Sequence, residues 1–292
     1  MFMTTSLTEP DIRLSLPISR IAKVRPKGIN PVRHALFDHI PAACPLCLAR
    51  VPGRRLCIGC ESDLHRLEGV GCSTSETSDT SDTSDTSATS GLAGDARPRL
   101  RCPRCGARCQ TAGAPCWDCL RLPPPYRRTI VAMSYVAPYD GLIGLLKHHH
   151  KLWMAECLAR LLAHVMHREI EAGDLVSPAL LLPIPASRAS LMRRGFNPAG
   201  ELARALGWRL AVPVRHGLLV RTREGPKQAE LGRIARLRES VDLFAARGPL
   251  TGLHVGLVDD VMTTGGTLAA AAHAVLDQGA ASVTLLVAAR TP

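Results

Sequence analysis

Four Cys-x2-Cys pairs within the first 120 residues limit what this chain can fold into more than any other feature: CPLC (44–47), CIGC (57–60), CPRC (102–105) and CWDC (116–119). They form an internal repeat in which each unit is a pair, a spacer of 9 or 10 residues, and a second pair. A C-x2-C knuckle turns both sulfurs toward one point, and tetrahedral Zn²⁺ takes four thiolates. Two structural zinc sites are therefore expected, on Cys44, Cys47, Cys57, Cys60, Cys102, Cys105, Cys116 and Cys119. The near-equal spacers favour sequential pairing of the units, with a crosswise scheme also open. With every position filled by sulfur, such sites hold structure rather than catalyse. Disulfides are the competing use of these cysteines. The opening stretch, residues 1–25, has neither a hydrophobic h-region nor a small-residue cleavage site. This predicts retention in a reducing cytoplasm, where disulfides are disfavoured. Cys72 and Cys109 stand outside the pairs, and Cys157 falls in a helical pattern as a small core residue.

The two cysteine units are separated by a segment of tandem Thr-Ser-Asp triplets, residues 73–95, with too little apolar surface to offset its ordering entropy. It is expected to be a disordered insertion in a cysteine module spanning 41–121. Residues 1–40 carry scattered Pro, Arg and Ser without a sustained period and read as a disordered basic tail. The net charge of +11 calls for an anionic partner: phosphate, pyrophosphate or nucleic acid. An aromatic content of 3% argues against a binder that stacks successive bases on many platforms. Apolar runs fall short of a membrane span, so membrane insertion is not expected.

After a rigid LPPPY linker (122–126) the pattern becomes alternating strands and helices. IVAMSY (130–135), LLLPIP (180–185), LHVGLVDD (253–260) and SVTLLVAA (282–289) read as strands. Residues 154–173 carry Leu158, Leu161, Leu162 and Val165 at helical spacing, and 198–206 and 268–279 also read as helices. The result is an α/β domain over 126–292 with a parallel sheet flanked by helices.

The stretch VGLVDDVMTTGGTL (255–268) places paired acids at the carboxyl end of a strand and a Thr/Gly turn at the start of a helix. Thr263, Thr264, Gly265, Gly266 and Thr267 offer successive N–H groups and hydroxyls suited to a phosphate monoester. Asp259 and Asp260 lie where α/β sheets bind ligands and can accept from vicinal hydroxyls. A phosphate on one side and a diol on the other describe a ribose 5-phosphate. An acidic turn before an N-capped helix would explain one threonine and one glycine, but not the adjoining acids or the second threonine.

This stretch resembles the 5-phosphoribosyl-1-diphosphate (PRPP) loop of type I phosphoribosyltransferases. The chain more widely resembles the ComF family of competence proteins, the ComF/GntX group, in which a double zinc ribbon precedes a phosphoribosyltransferase domain. Further matches are LIGLLKHHHK (142–151), LLPIPASRASLMRRGFNPA (181–199) and Gln228 with Arg236 and Phe244. The resemblance implies that Asp259 and Asp260, the catalytic pair, hold the ribose hydroxyls, and that Thr263 to Thr267 hold the 5-phosphate. Met262 belongs to the same PRPP site. It also implies that Ala186, Ser187 and Arg188 face the pyrophosphate, with Lys147 and Arg194 as further pyrophosphate or nucleic-acid contacts. Pro198 stands where the family's RGFN is followed by Gln, and Glu239 where Asn is expected. Lys147 beside His148, His149 and His150 reads equally as a solvated turn, Arg193 and Arg194 as surface charge, and Phe196 as a packing residue. The implied function is handling of single-stranded DNA during DNA uptake on a PRPP-binding fold. The alternative is displacement of pyrophosphate from PRPP, with Mg²⁺, by a nitrogen nucleophile. Implied partners are PRPP, single-stranded DNA, and a competence helicase or another protein of the uptake machinery.

Overall fold

A computed structural model describes residues 40–68, 101–109, 113–223 and 243–292. The tail 1–39, the 73–95 insertion, Cys72, Gln228, Arg236 and Glu239 lie outside the described residues.

The organising element is a four-stranded sheet, every neighbouring pair parallel. Its strands, in spatial order, are β3 (Arg128–Ser134), β8 (Ser282–Arg290), β7 (His254–Met262) and β4 (Leu180–Pro183). Parallel strands covered on both faces read as continuous apolar runs, and β8 is buried at seven successive positions from Val283 to Ala289. The period-2 alternation then divides those residues between two layers. Ile130, Ala132, Val258, Leu286 and Ala288 face a core shared with α3 (Asp140–Lys147), α4 (Met154–Glu171) and α6 (Pro198–Leu210). Val131, Leu257, Leu285 and Val287 face a second core beneath α7 (Gly266–Asp277) and a hairpin of β5 (Leu219–Arg221) with β6 (Phe244–Ala246). The expected strands and the three expected helices are present, with ends moved by at most four residues. The structure adds α3 and the short α5 (Arg188–Arg194), which lack the long apolar period that marks α4. Pro198 opens α6 at its first position, where a missing N–H costs nothing.

The cysteine units precede this sheet. The first comprises β1 (Pro41–Ala43), β2 (Arg50–Pro52) and α1 (Ile58–Glu68), and the second ends in α2 (Trp117–Arg121). Cys44, Val51, Leu56 and Leu64 belong to the same buried cluster as α4. Cys157 is part of that cluster too, 1% exposed, with burial pushing its thiol up to about 12. It is the inert core residue its helical position implies.

Candidate functional site

The two cysteine units have the same backbone. Cys44 N–H donates to Ala49 C=O at 2.8 Å and Leu48 N–H to Cys44 C=O at 2.9 Å. The corresponding bonds from Cys102 N–H to Ala107 C=O and from Gly106 N–H to Cys102 C=O measure 2.8 and 2.9 Å. Each loop then aims an amide at the first sulfur: Cys57 N–H at Cys44 Sγ, 3.4 Å, and Cys116 N–H at Cys102 Sγ, 3.2 Å. The sulfurs gather sequentially, Cys44, Cys47, Cys57 and Cys60 in one group and Cys102, Cys105, Cys116 and Cys119 in the other. All sulfurs of a group lie within 4.8 Å of one another. A tetrahedron with metal–sulfur bonds of about 2.3 Å has edges of about 3.8 Å. The Cys47–Cys57 and Cys105–Cys116 separations, 3.5 and 3.7 Å, suit it. Each group could hold a metal ion. Crosswise pairing does not occur.

At the carboxyl end of the sheet, β7 runs through both acids to Met262 before the chain turns into α7. The turn depends on Gly265, whose φ of 82° is left-handed. A Cβ there would be strained by that φ and would meet Met262 Cε at 2.5 Å, so the buried Met262 forms the floor of the loop. Thr263 and Thr264 are exposed and Gly266 and Thr267 half-buried, which leaves their polar groups facing a hollow of about 260 Å³. Lys147 and Asp259 line its other side.

Successive strand residues point to opposite faces, and the two acids accordingly have different surroundings. Asp260 is 7% exposed, and its Oδ1 lies 3.0 Å from Lys147 Nζ. Asp259 faces the hollow. Its burial, and then the negative charge of Asp260, push its carboxyl up to about 8, against the pull of the Asp260 N–H, Lys147 and Arg221. Lys147 is thus no solvated turn: it crosses from the end of α3 to the acid pair.

Beside β7, the end of β4 presents residues 186–188, held in line because Ile184 N–H donates to Val258 C=O at 2.9 Å. Ser187 Oγ accepts from Ser190 N–H at 3.2 Å and caps α5. Arg188 and Arg194 occupy the two ends of α5, the first exposed and the second half-buried. Asn197 Nδ2 donates to Ile184 C=O at 2.9 Å, so the RGFN segment braces the strand end from which the 186–188 turn departs. Phe196 packs edge-on against His150, ring centroids 5.7 Å apart, as a packing residue would.

Arg221 belongs to no motif that marks it in the sequence. It lies at the end of β5, its guanidinium 4.9 Å from the Phe244 ring and its Nε donating to Pro185 C=O at 3.4 Å. A cation is thereby placed over the same sheet edge. Only the hairpin fold brings it there, and no local spacing announces it.

The family model for the phosphoribosyl transferase domain matches residues 189–292. A DNA utilization protein YhgH of Shigella flexneri is 34% identical over 191 residues, 65% of this chain and 84% of that one. The chain belongs to the ComF family. Other relatives include competence protein F of Haemophilus influenzae, 29% identical over 57% of this chain and 74% of its own, and competence protein ComFC of Bacillus subtilis, 34% identical over 35% and 40%. A purine phosphoribosyltransferase structure from Pyrococcus horikoshii aligns with 44% of the chain and 66% of its own at 22% identity and a TM-score of 0.25. This ComF chain thus carries both of the parts its sequence announces, two cysteine tetrads and a phosphoribosyl transferase domain. Among the described residues no helix is long and apolar enough to cross a membrane.

Proposed function

We propose that this protein handles single-stranded DNA during DNA uptake in the cytoplasm, on a fold that binds PRPP. The observation that carries the reading is the hollow in which Lys147, Asp259 and the 263–267 loop meet, an anion cradle beside a carboxylate pair. The loop would take the 5-phosphate of PRPP and Asp259 the ribose hydroxyls. Asp260 would share that role by exchanging its contact with Lys147. The 186–188 turn, Arg188 and Arg194 would face the pyrophosphate or a nucleic-acid phosphate. Mg²⁺ bound with PRPP would neutralise charge on the diphosphate. The cysteine tetrads would hold Zn²⁺ as structural ions, since all-sulfur sites of this size suit it. The names of the relatives, DNA utilization and competence proteins, support the DNA reading and a helicase or other uptake protein as partner.

Catalytic transfer from PRPP to a nitrogen acceptor is the second reading, favoured by Asp259 lining one hollow with the whole 263–267 loop. The binding site is tested by calorimetric titration of the metal-loaded protein with PRPP and Mg²⁺. The expected result is binding that Asp259→Ala with Asp260→Ala abolishes. With its carboxyl pushed up to about 8, Asp259 should release a proton when a ligand takes it as carboxylate, so binding should tighten as pH rises toward that value. Binding that survives the double substitution refutes the assignment.

A further inference from the structure

A second concave site lies on the helical layer. Arg160, Ala163, His164 and His167 of α4 and Trp208 and Arg209 of α6 line a hollow of about 350 Å³, and none of the six lines the loop hollow. Arg160, His164 and His167 follow the i, i+4, i+7 spacing of one helix face. Their row is about 10 Å long at the helical rise. His164 and His167 are exposed, and the half-buried Trp208 is among the residues that line the hollow. Arg209 sits 5.9 Å from the Trp208 ring centroid and holds Glu156 Oε1 at 2.6 Å, which neutralises that acid beside the cluster. The row of ring and guanidinium donors continues into the first cysteine unit. His65 of α1 stacks on His164 with centroids 4.6 Å apart and planes 13° from parallel, and Arg168 acts on the charge of His65.

Three features decide what such a surface takes. Parallel imidazole rings do not converge their nitrogens on one ion, which speaks against a metal. A row of about 10 Å is longer than one phosphate and suits successive phosphates. An indole at its edge adds a π face that a free phosphate would not use but an unpaired base would. We propose that this hollow binds single-stranded nucleic acid, phosphates along Arg160, His164 and His167 and one base against Trp208. This rests on the DNA reading above and gives it a location apart from the PRPP loop.

The test is fluorescence anisotropy of a labelled 15-nucleotide oligothymidylate with the full-length metal-loaded protein at several salt concentrations. Intrinsic tryptophan emission, compared with that of Trp208→Leu, and thermal midpoints are recorded in parallel. Trp208→Leu and His167→Glu are each expected to weaken binding about tenfold, the second by setting a carboxylate against the phosphates. Asp259→Ala with Asp260→Ala should leave the oligonucleotide affinity in place. His167 is exposed, so its substitution tests the site even where Trp208→Leu disturbs packing. Oligonucleotide binding unchanged in both variants overturns this site while the DNA reading stands. No binding by the unaltered protein overturns both.

Discussion

The Cys44 and Cys102 units share their loop hydrogen bonds and sequential sulfur grouping, yet they are attached to the sheet domain by different forces. The first is joined by apolar burial: Cys44 and Leu64 are 0% exposed and lie in one cluster with α4 and β3. The second keeps a small cluster of its own, Cys102, Cys105 and Cys119, and is held mainly by hydrogen bonds. Thr129 N–H donates to Pro103 C=O at 3.0 Å, Thr129 Oγ1 to Arg104 C=O at 2.5 Å, and Arg290 Nε to Cys105 C=O at 3.3 Å. Glu68, the last residue of α1, binds the two units together. Its Oε2 accepts from Arg101 Nη2 at 2.5 Å and its Oε1 from Ser134 N–H at 2.8 Å. Gene-level repetition of a knuckle therefore does not produce equivalent modules, since neighbours decide how loss of each propagates.

The strongest way to break this contrast is to remove ligands from one unit at a time. A structural zinc ion bound in each tetrad would contribute on the order of 10 kcal/mol to folding of its unit. Cys44→Ser with Cys47→Ser should release one metal equivalent and lower the main thermal transition, because the lost unit opens the core under α4. Cys102→Ser with Cys105→Ser should release the other equivalent and move that transition less. Equal shifts by calorimetry, or unaltered metal content, would refute the picture.

Next in size are the two attachments themselves. Glu68→Ala leaves the Arg101 guanidinium without its buried carboxylate and should cost about 3–5 kcal/mol. Leu64→Ala empties a fully buried position and should cost about 2–5 kcal/mol. Hydrogen exchange separates them: Glu68→Ala should speed exchange at Gly106 and Ser134, Leu64→Ala along α1.

A finer comparison uses the matching position in each loop. Leu48 and Gly106 have φ of 65° and 66°. A Cβ at Gly106 would meet Val131 Cγ2 at 2.6 Å, so Gly106→Ala should destabilise by more than about 1 kcal/mol. Leu48 is 76% exposed, and Leu48→Gly relieves its left-handed backbone at little loss of burial, so it should stabilise by up to about 1 kcal/mol. Denaturant midpoints of opposite sign would sharpen the distinction between a free knuckle and a docked one.

The smallest effect expected is on pH. Burial, then the neighbouring charge of His164, lowers the His65 imidazole below its ordinary 6.5. The unfolded chain then binds the proton more readily, so stability is present above about pH 6.5 and is lost as pH falls through that range. His65→Gln should flatten the dependence measured by urea unfolding between pH 5 and 7.5, and exchange in α1 should follow it.

Much of the fold was legible because its signals are local. The apolar runs of β7 and β8 and the heptad-like spacing of α4 identify themselves within a few residues, and so does the DD-x2-TTGGT stretch. The short α5 is less legible, since its seven residues bury none of their own and owe their helix to the Ser187 cap. The raised Asp259 carboxyl follows from an acid neighbour visible in the text, but its burial does not.

What the sequence by itself determined is the chemistry on offer: eight paired thiols, an acid pair before a glycine turn, and a basic balance. Which atoms meet was decided by the tertiary structure. Lys147 reaches Asp260 across 113 positions, Glu68 joins residues of two repeats, and α4 and α6 assemble a cationic hollow from two separate helices. Spacing within a motif is set by bond lengths and backbone angles, which a local stretch carries with it. Contacts between distant segments arise only when the whole apolar core closes and brings them together.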